Sequence, residues 1–497
     1  MKRILLAALL VCLPVRGESP LADAVQKSDQ PRIKSLLAQR VDVNAAQIDG
    51  MTALHWAAQK NDTDTAKLLI KAGADAKATN RYGIDPLWLA CQNGNGVLVE
   101  MLLKAGADPN LRQRGEETAL MTVARTGDIE AVKALLSAGA EVNAKEKRGQ
   151  TAVMWAAAEG HAEVVDLLIK SSADFRTPLD GGFTPLFFAI REGRADVVKV
   201  LVKAGADVNE AMQPKRKAGR GPQAGMTPLL MAVENGHFEV AIDLVKAGAD
   251  PNDARAGYTA LHSISWVRKP DHGEGEDGQP PPDGSGALDS LQFVRKIVAL
   301  GADVNAKIAK APGGLGVLNR TGATPFLMAA KTADIVLLKL LYELGADPSI
   351  ATRDGVTPLI AAAGLGTLAA GEVAGTEEEV VEVLEWLVKI GADVNAVDKN
   401  GETAMHAAAY KNLPKAVDFL AANGAKIEVW NTKDKHGWTP LLIAEGFRPG
   451  NFNPSFETIA AIHKAMLAAG VTPPPLTSHE GVNNSDFGPR ERKYIAK

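Results

Sequence analysis

Gly50-Met51-Thr52-Ala53-Leu54-His55-Trp56-Ala57-Ala58 is followed by an apolar stretch containing Ala66, Leu68, Leu69 and Ile70, and then by Lys71-Ala72-Gly73. Gly50 allows a tight turn, and Thr52 is a natural N-cap whose hydroxyl accepts a backbone N–H at the start of a helix. The Ala-rich segment behind it reads as a short helix that a neighbour can approach closely. The second stretch reads as another apolar helix, closed by Gly73 in the left-handed conformation. Two short antiparallel helices and a turn result. Neither is long enough to be stable alone in water, so the pair must bury its apolar faces on something else.

More copies of the same pair supply that surface. The Thr52 slot is filled in turn by Ser19, Thr52, Asp85, Thr118, Thr151, Thr184, Thr227, Thr259, Thr324, Thr357, Thr403 and Thr439, with a step of 33 residues throughout Ser19 to Thr184. A second series, Gly73, Gly106, Gly139, Ser172, Gly205 and Gly248, follows its anchors by 21 residues and sets the register independently. Twelve stacked units are expected, as an all-α solenoid of helix-turn-helix units with short turn or hairpin connections. Asp85 can still cap a helix, and Ser19-Pro20-Leu21 reads as the eroded copy expected at a stack end.

Where the two series drift apart, residues have been inserted. The expected insertions are 210–224 and 307–318 between units, and 270–285, 364–376 and 446–454 between the helices of a unit. Residues 52 to 205 carry none. Elaboration in the second half marks where protein-specific features are expected, although any one insertion could equally be drift in a surface loop.

These repeats resemble the ankyrin repeat family, whose T-P-L-H-x-A-A, G-H and G-A-D-V-N elements are nearly intact in Gly225-Met226-Thr227-Pro228-Leu229, Gly236-His237 and Gly248-Ala249-Asp250. The resemblance extends over residues 19 to 470, and the expected repeat domain is 18–470. It implies a scaffold that grips another protein through its turn tips and a concave face lined by the first helices.

Composition agrees with a chain of this kind. Of the 497 residues 46% are hydrophobic, which excludes wholesale disorder. With 55 Lys and Arg against 59 Asp and Glu, the formal charge of -4 gives no general grip on nucleic acid. No apolar run approaches the roughly 20 residues needed to span a bilayer. Lys2 and Arg3, the apolar run Ile4 to Leu13, and the small-residue spacing of Val15 and Gly17 read as a secretory signal peptide over residues 1–17. The expectation is therefore an exported protein, periplasmic or secreted. Removing the signal takes away Cys12 and leaves Cys91 alone, so stability must come from packing without an internal disulfide.

Catalytic and metal signatures are weak. His55, His262 and His406 share one slot of the repeat and His161 and His237 another, which points to structural hydrogen bonds; the ligands of a zinc site must converge within about 2.3 Å of one ion. The run 273–278 formally matches G-x-G-x-x-G, but no strand precedes it and its carboxylates would repel a pyrophosphate. Cys91 follows a helix-core position and reads as buried and inert. No enzyme activity, cofactor or metal is expected.

What remains is a surface. The position just before the Thr slot holds Met51, Ile84, Phe183, Met226, Tyr258, Ala323, Val356 and Trp438, with Glu117, Gln150 and Glu402 as exceptions. A solvated turn would favour polar residues there, so the apolar members form a candidate contact row. Arg125, Arg191, Glu192, Glu234 and Lys331 join it from the ends of first helices. The competing reading packs the apolar side chains against neighbouring turns. Outside the repeats, Lys215, Arg216, Lys217 and Arg220 make one insertion basic, the tract at 270–285 is acidic, and 471–497 reads as a flexible tail.

The function expected is an exported scaffold, monomeric by itself, that binds a protein partner. The alternatives are a ligand-binding or enzymatic protein whose pocket is built by the second-half insertions, and a secreted effector.

Overall fold

The computed structural model describes residues 19–215, 224–271, 281–309, 318–367, 369–371, 373–448 and 454–476. These are entirely helical apart from turns, with no strand among the described residues. Among the described residues, twenty-five helices fall into twelve consecutive pairs plus one short extra helix, Ile427–Trp430. The second repeat shows the pattern, with a first helix at Ala53–Gln59 and a second at Thr63–Lys71. Among the described residues no helix is long and apolar enough to cross a membrane.

The caps start each helix where the sequence places them. Thr52, Asp85, Thr118, Thr227, Thr324, Thr357 and Thr439 each accept a backbone N–H from three residues on. Second helices use their own caps, such as Asp62, Asn95, Asp128 and Asp334. Ser19 departs from the pattern: its hydroxyl donates to the Ala45 carbonyl at 2.7 Å and caps nothing. In that first repeat Ile33 is the only buried residue of the second helix, as suits a terminal unit with a polar outer side.

The chain divides into two compact blocks, Met1–Ala206 and Asp207–Lys497. In the first block, first helices stack on first helices and second helices on second helices from repeat to repeat. Its core is built from small and branched residues at one level of each pair, such as Leu54, Ala57, Ala66 and Leu69, all at most 1% exposed. Burying a leucine of this kind contributes about 1.5–3 kcal/mol, which the isolated pair could not gain.

Polar bonds fix how one repeat sits on the next. The backbone N–H of Thr52 donates to His55 Nδ1 (3.2 Å), so the proton is on Nε2, which donates to the Ile84 carbonyl of the next repeat (3.0 Å). At the other end of the pair, Asn44 donates through Nδ2 to the Gly73 carbonyl (3.1 Å) and accepts the Asp75 N–H through Oδ1 (2.8 Å). Asn110 and Asn143 repeat this clasp on Gly139 with Glu141, and on Ser172 with Asp174. Arg176 stands in the Asn slot of the fifth repeat, where its guanidinium reaches the Gly205 carbonyl at 3.3 Å.

In the second block the same devices recur across insertions. His262 and His406 donate to the carbonyls of Ala323 and Thr432. Asn209, Asn252, Asn305 and Asn395 clasp Gly248, Gly301, Gly345 and Gly424. Burial holds all three stapling histidines below their usual titration range, His262 at about 4, so they are neutral and free to accept at Nδ1.

The inserted residues alter the pairs they enter. In the tenth repeat the first helix shrinks to Pro358–Ala362 and the second lengthens to Glu377–Lys389. The twelfth does the same with Pro440–Ala444 and Phe456–Ala468. Each second helix thus gains one turn at its N-terminal end, while its last residues keep the normal register to Gly391 and Gly470. In the eighth repeat the described part of the insertion folds onto the seventh, where Ser285 N–H donates to His237 Nδ1 (3.1 Å) and Ala287 N–H to Glu239 (3.0 Å).

Two departures from the repeat pattern carry measurable costs. Ser172 closes the second helix of its repeat at φ 69°, a left-handed conformation that Gly adopts freely. Ser172→Gly is expected to raise stability in urea by about 1 kcal/mol. Asp85 is 2% exposed, and burial pushes its carboxyl up to about 6 despite the hydrogen bond from Trp88 N–H. The folded state therefore holds the proton more tightly than the unfolded chain, and stability is lost as pH rises from the unfolded value near 4 through 6. Asp85→Thr keeps the cap, so it is expected to leave stability nearly unchanged at pH 4 and to raise it on the order of 2 kcal/mol above pH 6, by urea midpoints across pH.

Candidate partner-binding face

The residue before each capping Thr is the last of a turn, and the final residues of a first helix lie one helix length away. In the first block Met51 is 7% exposed and packs into the stack, with Asn80 Nδ2 directed at its sulfur (3.4 Å). Ile84 is half-buried. Phe183 is half-buried and held by aromatic and cationic neighbours: its ring lies 5.1 Å from Phe188, and Arg191 lies over both rings at 5.2 and 5.3 Å. Arg191 also pairs with Glu192 at 2.8 Å, and both are exposed. Arg125 lies over Trp155 at 5.5 Å. Phe183, Arg191 and Glu192 thus form one patch, while Arg125 belongs to another.

In the second block Met226 (6% exposed) and Val356 (2% exposed) are buried. With Met51 they drop out of the contact row, because their side chains fill space between successive turns. Tyr258 and Glu234 are brought together, the phenol donating to Glu234 Oε1 at 2.7 Å while its ring meets Trp266 edge-on at 5.0 Å. Burial raises the Glu234 carboxyl, and the Tyr258 and Trp266 donors oppose that shift. Trp438 is half-buried and stacks on His436 at 5.0 Å, 29° between planes. Phe188, Trp155 and Trp266, which complete these clusters, lie inside first helices, where sequence reading takes an aromatic as core.

Lys331 sits in different company. It ends the first helix Pro325–Lys331, where the charges of Asp271 and Arg320 act on it and its own charge acts on Lys411. Lys411, in the cap position of Ala404–Tyr410, is only 3% exposed. Nearby, Arg268 holds Asp334 through two nitrogens (2.6 and 3.3 Å), and Lys269 bridges Glu379 Oε1 (2.6 Å) and the Ala333 carbonyl (3.0 Å). Arg448, fully buried, lies over the Tyr410 ring and donates to Asn412 Oδ1 at 3.3 Å. Glu445 is buried with neither carboxylate oxygen hydrogen-bonded. Lys411 and Arg448 escape sequence reading because the segments that cover them are insertions, whose landing place no periodicity encodes.

Pro281, Pro282, Gly284 and Ser285 of the inserted tract also border a cavity of about 370 Å³ with Gly236, Phe238, Val267 and Arg268. Residues 1–17, Arg216, Lys217 and Arg220 of the basic tract, the acidic run 272–280 and the tail from 477 lie outside the described residues.

The family model for ankyrin repeats (3 copies) matches residues 17–113, 115–212 and 368–451, and the single ankyrin repeat matches residues 224–255. Neurogenic locus notch homolog protein 1 of Mus musculus is 35% identical over 144 residues, which is 29% of this chain and 5% of that protein. The Homo sapiens protein of that name is 34% identical over 145 residues, again 29% and 5%. The probable 26S proteasome regulatory subunit p28 of Saccharomyces cerevisiae is 32% identical over 130 residues, 25% of this chain and 50% of that protein. The chain thus matches a twentieth of the Notch proteins' length and half of the yeast subunit's. Because the family matches extend over more than half of its own length, the chain belongs to the ankyrin repeat family.

Proposed function

We propose that this chain is an exported scaffold that binds another protein through its turn tips and first-helix ends, without a catalytic role of its own. Ankyrin repeats typically serve as protein-interaction scaffolds, which supports the general reading. The observation that carries the finer one is the state of Phe183, Tyr258 and Trp438: each is half-buried, and each is held by a ring, cation or carboxylate neighbour. Aromatic groups already ordered in the free protein lose little side-chain entropy on association, which is how a rigid scaffold gains affinity. Arg191 and Glu192 add charged groups beside Phe183 and Glu234 one beside Tyr258, while Arg125, Lys331 and half-buried Ile84 extend the face elsewhere. Export rests on the basic, apolar and small-residue order of residues 1–17.

Capture of the tagged chain from the exported fraction of its own host, after mild crosslinking, is expected to recover one protein in stoichiometric amount. Phe183→Ala and Trp438→Ala are expected to weaken that capture at least about tenfold while lowering the melting temperature by no more than a few degrees. A large loss of stability with capture intact contradicts the contact role of these side chains.

A further inference from the structure

Lys331 ends the first helix of the ninth repeat and Lys411 caps that of the eleventh, with Gly364, Ala374 and Gly375 of the tenth repeat's inserted segment against Lys411. Gly364 and Gly375 make that approach possible. Gly364 has φ 109°, and a Cβ there would lie 2.5 Å from Lys411 Cβ; a Cβ on Gly375 would lie 2.7 Å from Ala333 Cβ and 3.5 Å from Lys411 Nζ. The segment touches Lys411 with backbone because a side chain at either point would not fit.

The hydrogen bonding of the pair is incomplete. An ammonium has three donors. Lys411 Nζ donates to the Ala374 carbonyl at 2.6 Å, and Lys331 donates to no group among the described residues. Five N–H donors are left without an acceptor among the described residues. The surrounding charges do not supply one. Glu379 is taken by Lys269, Asp334 by Arg268, and Asp271 Oδ1 accepts the Ala374 N–H at 3.2 Å. Among the described residues, the negative charges acting on the pair are Asp271 and, on Lys411, the Lys269-paired Glu379, with Arg320 adding a further positive charge beside Lys331. Burial pulls both lysines down, Lys411 to about 8, with Lys331 adding to that shift; at neutral pH Lys411 is still mostly charged.

We propose that Lys331 and Lys411 form a carboxylate-binding pocket, roofed by the backbone of Gly364, Ala374 and Gly375, that receives a carboxylate of the partner protein. The excess positive charge with the donors unfilled asks for an anion. Asp271, fixed beside the pair, penalises a doubly charged phosphate more than a singly charged carboxylate. Lys331, half-buried at the edge of the cluster, gives the ligand its way in. An acidic side chain and a chain terminus present the same group. That the carboxylate belongs to a protein rests on the scaffold reading above; the pocket itself does not.

The test is the acetylation rate of individual lysines in the full chain at pH 8, read by mass spectrometry in chloride of constant ionic strength. N-acetylglycinate mimics a chain terminus, and N-acetylglutamate α-amide mimics an acidic side chain. At least one of them is expected to slow modification of half-buried Lys331 by about threefold or more, as simple site occupancy requires, and to leave exposed Lys60 unchanged. Which probe protects identifies the source of the carboxylate. Lys411→Met is expected to abolish protection at Lys331, and Lys411→Arg to retain it. Protection by neither probe, or by inorganic phosphate alone, overturns the pocket. Because no partner is present, that failure leaves the scaffold reading standing, whereas protection here with no protein recovered by capture removes the scaffold and keeps the pocket.

Discussion

The structure depends on the contact between one helix pair and the next. Helices of seven and nine residues, such as Ala53–Gln59 and Thr63–Lys71, do not hold together in water, so nearly all of their stability comes from burial on their neighbours. That contact must be kept in register, and two polar bonds do this from opposite ends of the pair. One is the neutral His55, donating from Nε2 to Ile84; the other is Asn44, clasping Gly73 and Asp75. Each satisfies backbone groups that would otherwise be buried or frayed at a turn, and each fails if the next repeat slides. Where Asn is replaced by Arg176, the longer side chain reaches the same carbonyl.

This constraint explains where the chain could vary. The second block accepts insertions because they enter connections and leave the clasps in place: Asn252 still reaches Gly301, and Asn305 still reaches Gly345, across much longer separations in sequence. The added segments then settle on nearby helix ends. In the eighth repeat they engage His237 and Glu239, and in the tenth they cover Lys411. A regular stack thereby acquires buried charge and enclosed space that a plain repeat lacks. In the first block the first-helix side keeps to the simpler surface of Arg125 on Trp155 and Arg191 on Phe183.

The fold was legible because its determinants are local. A capping Thr, a left-handed Gly and an apolar period recur at fixed spacing, and none depends on distant parts of the chain. The structural reading of His55, His262 and His406 followed from the same spacing. The contact row was legible only in part. A residue before the Thr slot can point into the stack, as Met51, Met226 and Val356 do, or lie half-exposed, as Phe183, Tyr258 and Trp438 do. Their side chains are chemically alike, and the packing of the adjoining turn decides between the two. Lys331 could be found as a helix-end charge. Its relation to Lys411 and Asp271 could not, since residues as far apart as 271 and 411 are joined only by the path of the insertions.

In the proposed scaffold the turn-tip aromatics and the charged first-helix ends meet a protein partner, while the outward side of the second helices does not. Photo-crosslinking states this most directly: benzoylphenylalanine placed singly at Phe183, Tyr258, Trp438 or Val336, the last 51% exposed on a second helix, in the full chain within its own host. One and the same protein adduct is expected from Phe183, Tyr258 or Trp438 and none from Val336. An adduct at Val336 with none at the three aromatic positions would contradict it.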